Sequence, residues 1–464
     1  MIMFLLVYFM KGSTIMFKEK VKKYLTDYRY IISIQILGML ILRDVIHDVF
    51  YLFSGVQSKI WNAFSAFVAL LALCIFLFEV VHRKLFTSPI QNTLWIFFVI
   101  TFVGTIMRRE GLWIKSWIYE FLLFAEIYLS FILIPRLGKE KTDAFLYRIS
   151  KWVIAVFCTI NTVSLLILFL HLLGFPDLPG VFSYSTMYST SNHPGDYQFF
   201  GIYEWVTDGS HRTITALVLG LFLHSRKQIK PFWFYLDLLT AVSYLLLAGA
   251  RSAMLCLVLI VLYGLFLVLQ KLKNRRFAKS VLLSLLILGA CALVIKAVPK
   301  IEMLYALRGA DVSAYESQLN AMTNSRYLLW SAGVRVGMEK PLFGWGWAYL
   351  PPRLIDMASD TAGVSLHNVL VNVFVFSGFA GLISLLVFFF ASLVRLWKNR
   401  HLIASTKSGW LFILVVCGWI QSMLQPGILG ENSHIESIYF WIAYGYLIYL
   451  DYGTASVSKA AVQA

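Results

Sequence analysis

The segment Asn368–Val394 reads NVLVNVFVFSGFAGLISLLVFFFASLV and contains no charged residue. A helix needs roughly 20 apolar residues to cross a hydrocarbon core of ~30 Å, and this run exceeds that length. The segment therefore predicts a membrane-spanning helix that begins immediately after His367.

Similar apolar runs recur along the whole chain. Hydrophobic residues make up 59% and charged residues 14%, with a mean hydropathy of +0.74, whereas soluble domains are about half apolar and about a quarter charged. This composition predicts an all-α, polytopic helical integral membrane protein with about 12 transmembrane helices and no separate soluble domain in residues 1–464. The predicted spans are 31–53, 60–81, 92–107, 117–135, 152–174, 213–225, 233–250, 252–270, 279–298, 368–394, 410–428 and 434–451. The short runs 92–107 and 213–225 either tilt differently or extend into their flanks.

The formal net charge of +16 first suggests a nucleic-acid partner. With the N-terminus in the cytoplasm, however, most of the 40 lysines and arginines fall in cytoplasmic segments, as the positive-inside rule requires. Membrane topology thus explains the charge, and the expected partner is the lipid bilayer and not nucleic acid. This orientation places both termini in the cytoplasm and leaves unexplained basic residues in one long outer segment.

Neither the first residues nor the cysteines indicate processing or crosslinking. The apolar start Met1–Met10 is too short to span, and it lacks the flanking features of a cleaved signal peptide. Met16 is a more natural start than Met1. The five cysteines lie inside apolar runs without paired spacing, so neither a disulfide framework nor a metal site is expected.

The long polar segment 299–367 on the outer face is the predicted location of the active site, because long ordered loops are usually functional. A helix is predicted from Arg326 to the residues before Pro341, with Ser325 as its cap and Trp330 in its second turn. A helix start offers free amides and a positive dipole to an anion. An arginine there is unfavourable unless something negative lies nearby, which favours a phosphate-containing ligand.

Three further groups frame this segment. Gly344-Trp345-Gly346 predicts a tight turn with exposed backbone and indole faces. His367-Asn368 opens the next span, where the histidine is either structural or catalytic. Arg251 follows Gly249-Ala250 in a short outer turn; an arginine at membrane depth usually marks function, and the alternative is an anchor that reaches to the interface.

Another outer segment, 175–212, ends at Arg212. Its hydroxyl, amide and aromatic residues over 183–193 suit carbohydrate, and the alternative is a hydrated loop that touches lipid headgroups. The first span also contains charged residues, interpreted either as self-neutralising pairs or as substrate contacts: Arg43, Asp44, His47 and Asp48.

Several common catalytic motifs do not occur in the sequence. It contains no Gly-x-x-x-x-Gly-Lys-Ser/Thr phosphate loop, no His-Glu-x-x-His, no Gly-x-Ser-x-Gly and no Asp-x-Asp. A nucleotide-driven pump and a metalloprotease are therefore disfavoured. An enzyme on this chain is expected to need neither a metal nor another cofactor.

The order of these motifs resembles that of the O-antigen ligase and polymerase-like superfamily over roughly residues 210–400. The resemblance rests on Gly249-Ala250-Arg251-Ser252, Arg326-x-x-x-Trp330, Pro341–Gly346 and His367-Asn368. It implies a GT-C-like, inverting, metal-independent glycosyltransferase of the bacterial cytoplasmic (inner) membrane. Such an enzyme transfers a glycan from a polyprenyl diphosphate carrier to an acceptor on the outer face, and other polysaccharide-assembly proteins are further candidate partners.

The resemblance also implies roles for individual residues. Arg251 and Arg326 correspond to arginines that engage the diphosphate, and His367 corresponds to the histidine that assists at the acceptor. The remaining substrate-binding candidates are Trp330, Gly344, Trp345, Gly346, Asn368 and Arg212. If His367 is not the base, the acidic candidates are Asp311, Glu316, Asp356 and Asp360.

Three functions remain open from the sequence. A capsular or exopolysaccharide repeat-unit polymerase is favoured by the carbohydrate-like segment 183–193. An O-antigen ligase, which acts on a lipid A core or another surface acceptor, shares the same motifs. A flippase or exporter of lipid-linked oligosaccharide is a different class, disfavoured because the polar residues gather in one outer segment and not at mid-membrane.

Overall fold

The computed structural model shows a helical protein and describes a defined set of residues. These are 88–108, 113–136, 139–175, 188–190, 197–199, 201–203, 206–271, 326–349, 366–424, 427–429 and 435–450, with a few isolated positions elsewhere. The charged residues of the first predicted span, almost all of the predicted span 279–298 and the whole of segment 299–325 lie outside them.

Eleven helices follow one another in the described ranges. They are α1 (Pro89–Met107), α2 (Trp113–Ile127, continued by a π-helical segment Tyr128–Leu133 and a last turn Ile134–Arg136), α3 (Lys139–Leu172), α4 (Val206–Ser225), α5 (Pro231–Ala248), α6 (Arg251–Lys271), α7 (Arg326–Gly337), α8 (Val369–Lys398), α9 (Arg400–Ser405), α10 (Gly409–Leu424) and α11 (Ile435–Ile448). Proline at the first position of α1 and α5 suits a helix start, where its missing N–H is not needed.

The prediction of an all-α polytopic membrane protein is confirmed. Six helices in the described ranges are long and apolar enough to cross a membrane, and two shorter apolar helices, Gly409–Leu424 and Ser437–Ile448, accompany them. The described part of the chain does not establish the expected count of about 12. The short predicted span 213–225 extends at its N-terminal side, because α4 begins at Val206.

A small hairpin is the one departure from helix among the described elements. Strand β1 (Tyr188–Thr190) pairs antiparallel with β2 (Tyr197–Phe199), with Tyr188 opposite Phe199. The residues after β2 are anchored on α3, because Ser164 Oγ accepts from the amide of Ile202 at 3.1 Å and Asn161 Oδ1 accepts from the Tyr203 hydroxyl at 2.9 Å.

Helix α4 lies at the centre of the bundle. It packs against α3, α5, α6, α10 and α11, and every residue from Gly209 to Gly220 is buried. The polar residues in its first half, among them His211 and Arg212, therefore face other helices and not lipid. A helix that is buried on all sides need not be strongly amphipathic.

One end of the bundle is joined by a network around Arg226, the residue after α4. Its guanidinium forms an ion pair with Asp143 of α3 at 3.0 Å and donates to the Tyr147 hydroxyl at 2.6 Å. It also donates to Ser408 Oγ at 2.8 Å and to the Tyr446 hydroxyl at 3.1 Å. Helices α3, α4 and α11 thus meet at this network, together with Ser408 directly before α10.

Candidate functional site

Each of the three predicted catalytic side chains stands at the start of a helix. Arg251 and Arg326 are the first residues of α6 and α7, and His367 lies two residues before α8. The charge of Arg251 acts on Arg326, and the charge of Arg326 acts on His367. The fold therefore brings together three groups that are far apart in the sequence, and we call them the helix-start cluster.

The electrostatics of the helix-start cluster favour an anionic ligand. Burial, and then the like charge of Arg251, lower the pKa of Arg326. Burial, and then the charge of Arg326, lower the pKa of His367 from 6.5 to about 4. Both shifts disfavour further positive charge. An anion between these groups would reduce the repulsion among them.

The helices themselves add positive potential at the same place. Each α-helix carries a partial positive charge at its N-terminus, and α6, α7 and α8 all begin at the helix-start cluster. Phosphate groups bind readily at such helix starts. The sequence predicted this arrangement for α7 alone, and its proposed cap, Ser325, lies outside the described residues.

The backbone around His367 is held in a sharp corner. His367 has φ 47°, in the left-handed region that only a small share of non-glycine residues adopt. Asn368 Oδ1 caps α8 by accepting from the amides of Leu370 at 2.9 Å and Val371 at 3.2 Å. Its Nδ2 donates to the Met423 carbonyl of α10 at 3.1 Å. Asn368 thus orients the corner that carries the imidazole.

Trp330 lies one turn after Arg326 on the same face of α7, as residues four positions apart do. Its ring is half-buried, and its indole N–H has no acceptor among the described residues. This donor is consistent with the predicted substrate contact. Arg212 is 4% exposed inside the bundle. Its role stays a prediction.

A buried pair beside Arg251 was not predicted from the sequence. His211 Nε2 and Ser252 Oγ lie 3.0 Å apart, and both residues are buried. His211 also lines a small cavity with Thr215, Gln421 and Ser422. This pair ties the first turn of α6 to α4 and so fixes the helix start that presents Arg251. The only sequence signal was the polar pair His211-Arg212 directly before an apolar run.

Gly344, Trp345 and Gly346 lie away from the helix-start cluster. They follow the far end of α7, and the helix spans roughly 16 Å from Arg326 to Gly337 at 1.5 Å per residue. Trp345 is 9% exposed, its Nε1 donates to the Val336 carbonyl at 2.8 Å, and the Lys340 ammonium lies 3.9 Å from the ring centroid. Contact between these three residues and a sugar stays a prediction.

Other predicted groups lie outside the described residues. They are the carboxylates named as alternative bases, Asp311, Glu316, Asp356 and Asp360, and the sugar-contact residues 183–187 and 191–193. Within the described ranges, no three histidine, cysteine, aspartate or glutamate side chains are grouped so that they could hold a metal ion.

Comparison with known proteins agrees with the motif order. The family model described as "O-Antigen ligase" matches residues 237–386. The matched segment runs from α5 through α7 into α8, and it contains Arg251, Arg326 and His367. No curated protein sequence matches the chain. The segment 237–386 carries the three residues of the helix-start cluster, and over this segment the chain is similar to the O-antigen ligase family.

Proposed function

We propose that the protein is a cell-envelope glycosyltransferase that moves a glycan from a polyprenyl diphosphate carrier to a sugar hydroxyl. The observation that carries this proposal is the helix-start cluster, in which the charge of Arg251 acts on Arg326 and the charge of Arg326 acts on His367, at the starts of three helices. A diphosphate supplies the negative charge that this arrangement favours. The similarity of residues 237–386 to the O-antigen ligase family model supports the same class of reaction.

In this proposal, Arg251 and Arg326 hold the donor diphosphate. A guanidinium presents two parallel N–H groups to phosphate oxygens, which is a stronger and more directional contact than a point charge makes. When the bond between the anomeric carbon and the phosphate oxygen breaks, the electron pair stays on the leaving diphosphate. The fixed cations and helix dipoles stabilise that developing charge in the transition state.

His367 acts as the general base. Its lowered pKa, about 4, keeps the imidazole neutral near neutral pH and able to accept a proton. The acceptor hydroxyl gives its proton to His367 as its oxygen bonds to the anomeric carbon on the face opposite the diphosphate. The reaction therefore inverts the configuration, and the chain's own groups supply its charge stabilisation without a metal.

We infer that the acceptor is a growing chain, so that the protein polymerises capsular or exopolysaccharide repeat units. The polar and aromatic segment 183–193 supports this inference, because it suits an extended carbohydrate. The description of the matching family model supports the second candidate, a ligase that hands a finished glycan to a lipid A core or other surface acceptor. In both cases the site faces the outer side of the cytoplasmic membrane.

The test of the proposed function is Arg326→Lys. We expect this variant to lose donor binding and transfer almost as fully as Arg326→Ala, since lysine keeps the charge but lacks the two parallel N–H groups of the guanidinium. The matched control is Arg335→Lys, because Arg335 is exposed in the last turn of the same helix. The assay uses purified protein, a polyprenyl-diphosphate glycan and a metal chelator, and follows donor binding and product length.

Wild-type protein should remain active in the chelator. Full-length product from Arg326→Lys would overturn the diphosphate role of this arginine. Product that forms only on a lipid A core acceptor would select the ligase over the polymerase.

A further inference from the structure

Helix α8 is interrupted at Gly378, which has φ 64° and ψ −165°. In a continuous helix, the amides of Phe379 and Ala380 would donate to the carbonyls of Val375 and Phe376. The break separates these partners. Four backbone groups would then be left unpaired inside an apolar segment, where each unpaired group is costly.

The segment 341–346 pairs with all four of these groups. Phe379 N donates to the Pro341 carbonyl at 2.7 Å, and Ala380 N donates to the Leu342 carbonyl at 3.1 Å. In return, the amide of Trp345 donates to the Val375 carbonyl at 2.8 Å, and that of Gly346 donates to the Phe376 carbonyl at 2.9 Å. We call the two paired segments, 341–346 and 375–380, the joint.

Two glycines allow the backbones of the joint to approach this closely. Gly344 has φ 69°, and a Cβ there would lie 2.5 Å from the carbonyl carbon of Phe376 and the amide nitrogen of Ser377. A Cβ on Gly378 would overlap the Leu342 carbonyl and lie 2.5 Å from the Pro341 oxygen. All of these neighbours are backbone atoms, so they cannot rotate away. Any side chain at either position would push the joint apart.

The joint is also held against α1. Thr105 Oγ1 accepts from the amide of Trp347 at 3.0 Å. The guanidinium of the buried Arg108 lies 3.4 Å from the ring centroid of Tyr349 and donates to Ser116 Oγ at 2.7 Å. The segment after α7 is therefore fixed to α1 and α2 as well as to α8.

From the joint, α7 and the first part of α8 run side by side to the helix-start cluster. Gly337 packs against Phe374, and Gly333 packs against Val371 and Leu366. The two helices are parallel, because residues further along α7 contact residues further along α8. Arg326 and His367 consequently stand at the same end of one packed pair, with the joint at the other end.

We propose that the joint sets the relative position of Arg326 and His367, so that Gly344 and Gly378 are positioning residues for the transfer step. This inference rests on the proposed function for the roles of the two site residues. A misplacement of about 1 Å at a reacting group can cost on the order of 100-fold in rate. In this proposal the motif Pro341–Gly346 acts through its backbone.

The first experiment compares Gly344→Ala and Gly378→Ala with Gly174→Ala. Gly174 also has a left-handed φ, 83°, but a Cβ there meets nothing within 4 Å, so it controls for backbone strain alone. We expect transfer to fall by roughly 100-fold in the two joint variants. Donor affinity should fall much less, because the arginines remain, and the control should transfer normally. Normal transfer by the joint variants would overturn the proposal.

A milder variant guards against misfolding. Thr105→Val removes the side-chain oxygen that accepts from the amide of Trp347, directly after the joint, and introduces no overlap with the backbone. We expect a smaller loss of transfer in the same direction. Unchanged transfer in folded Thr105→Val protein would count against the joint even if both glycine variants fail to accumulate.

The second experiment measures the position of α7 on α8 without substrate. A Cβ on Gly333 lies 2.8 Å from Val371 Cγ1, so cysteines at 333 and 371 are close enough to form a disulfide. In a background without the native cysteines, oxidation should link this pair rapidly when the joint is intact and slowly when Gly344→Ala is added. The disulfide should also restore transfer to the Gly344→Ala protein.

Fast crosslinking in Gly344→Ala protein that has lost transfer would overturn the positioning role, because α7 would then not have moved. If the wild type neither binds nor uses the polyprenyl-diphosphate donor, the proposed function fails. In that case the crosslinking rate still decides whether the joint holds α7 on α8.

Discussion

His367 combines a strained backbone with an imidazole that stays neutral. Its φ of 47° is held by the Asn368 cap and by Leu366 and Val369, both almost fully buried. Strained conformations of this kind persist only where the surrounding contacts hold them, and they concentrate at functional sites. The corner therefore aims the ring, while burial and Arg326 keep the ring unprotonated.

The pKa of His367 predicts how transfer depends on pH. Without donor, the pKa of His367 is about 4, so the base stays neutral down to that pH. A bound diphosphate places negative charge beside the ring and raises this pKa, because an opposite charge favours the protonated form. The rate at saturating donor should therefore begin to fall at a higher pH than kcat/KM for the donor does.

Rates for the wild type and His367→Gln across the acidic range test this expectation. The transfer rate of the His367→Gln variant should be lower by ~10²–10⁴-fold, the usual size of base catalysis. Its rate should not fall at low pH in the way that the wild-type rate does. If kcat and kcat/KM of the wild type fall at the same acidic pH, donor binding does not change the pKa of His367.

Helix α4 depends on polar contacts at both ends. At one end, His211 bonds to Ser252 of α6. At the other end, the Arg226 network joins it to α3, α11 and the start of α10. Since α4 touches five other helices, these two contacts set how the helix-start cluster sits on the rest of the bundle.

Arg226→Ala should destabilise the protein by about 3 kcal/mol, because it leaves the Asp143 carboxylate largely buried without its cation. The control is Arg400→Ala, since Arg400 is exposed and its guanidinium donates to the Trp397 carbonyl near the end of α8. Its loss should cost less than about 0.5 kcal/mol. Unfolding of both variants in detergent gives the comparison.

The double variant Arg226→Met/Asp143→Leu should recover part of the lost stability, because replacing a buried pair with apolar residues is often neutral. Equal stability of Arg226→Ala and the wild type would show that the network does not hold α4.

The distribution of basic residues predicts the orientation of the protein in the membrane. Arg395 and Lys398 lie in the last turn of α8, at the opposite end of that helix from His367. The positive-inside rule places such residues in the cytoplasm. The helix-start cluster is then on the outer face, where a lipid-linked donor would meet its acceptor.

Single cysteines at 365 and 398, in a background without the native cysteines, test this orientation in whole cells. An impermeant thiol reagent should label Ser365→Cys and leave Lys398→Cys unlabelled until the cells are permeabilised. The reverse pattern would place the cluster on the cytoplasmic side and remove the basis for an outer-face reaction.

Much of the architecture could be predicted from the sequence, because apolar length and local motifs are sufficient for it. Uncharged runs are recognisable as spans. Helix α7 is recognisable from the apolar spacing that begins after Arg326 and from Pro341, which cannot continue a helix. Arg251, Arg326 and His367 could be named as candidates from their places in short motifs. Their proximity in the fold, seen in the effect of each arginine on its neighbour's pKa, depends on how three helices pack.

The remaining features depend on contacts between residues that are distant in the sequence. The run 368–394 has the composition of one continuous helix, and nothing local shows that Gly378 breaks it. The break is tolerated because segment 341–346 replaces four backbone hydrogen bonds, and those partners become visible only when the chain is folded. The same holds for His211 with Ser252 and for Arg226 with Asp143, since a polar residue in an apolar run does not reveal which helix it will face.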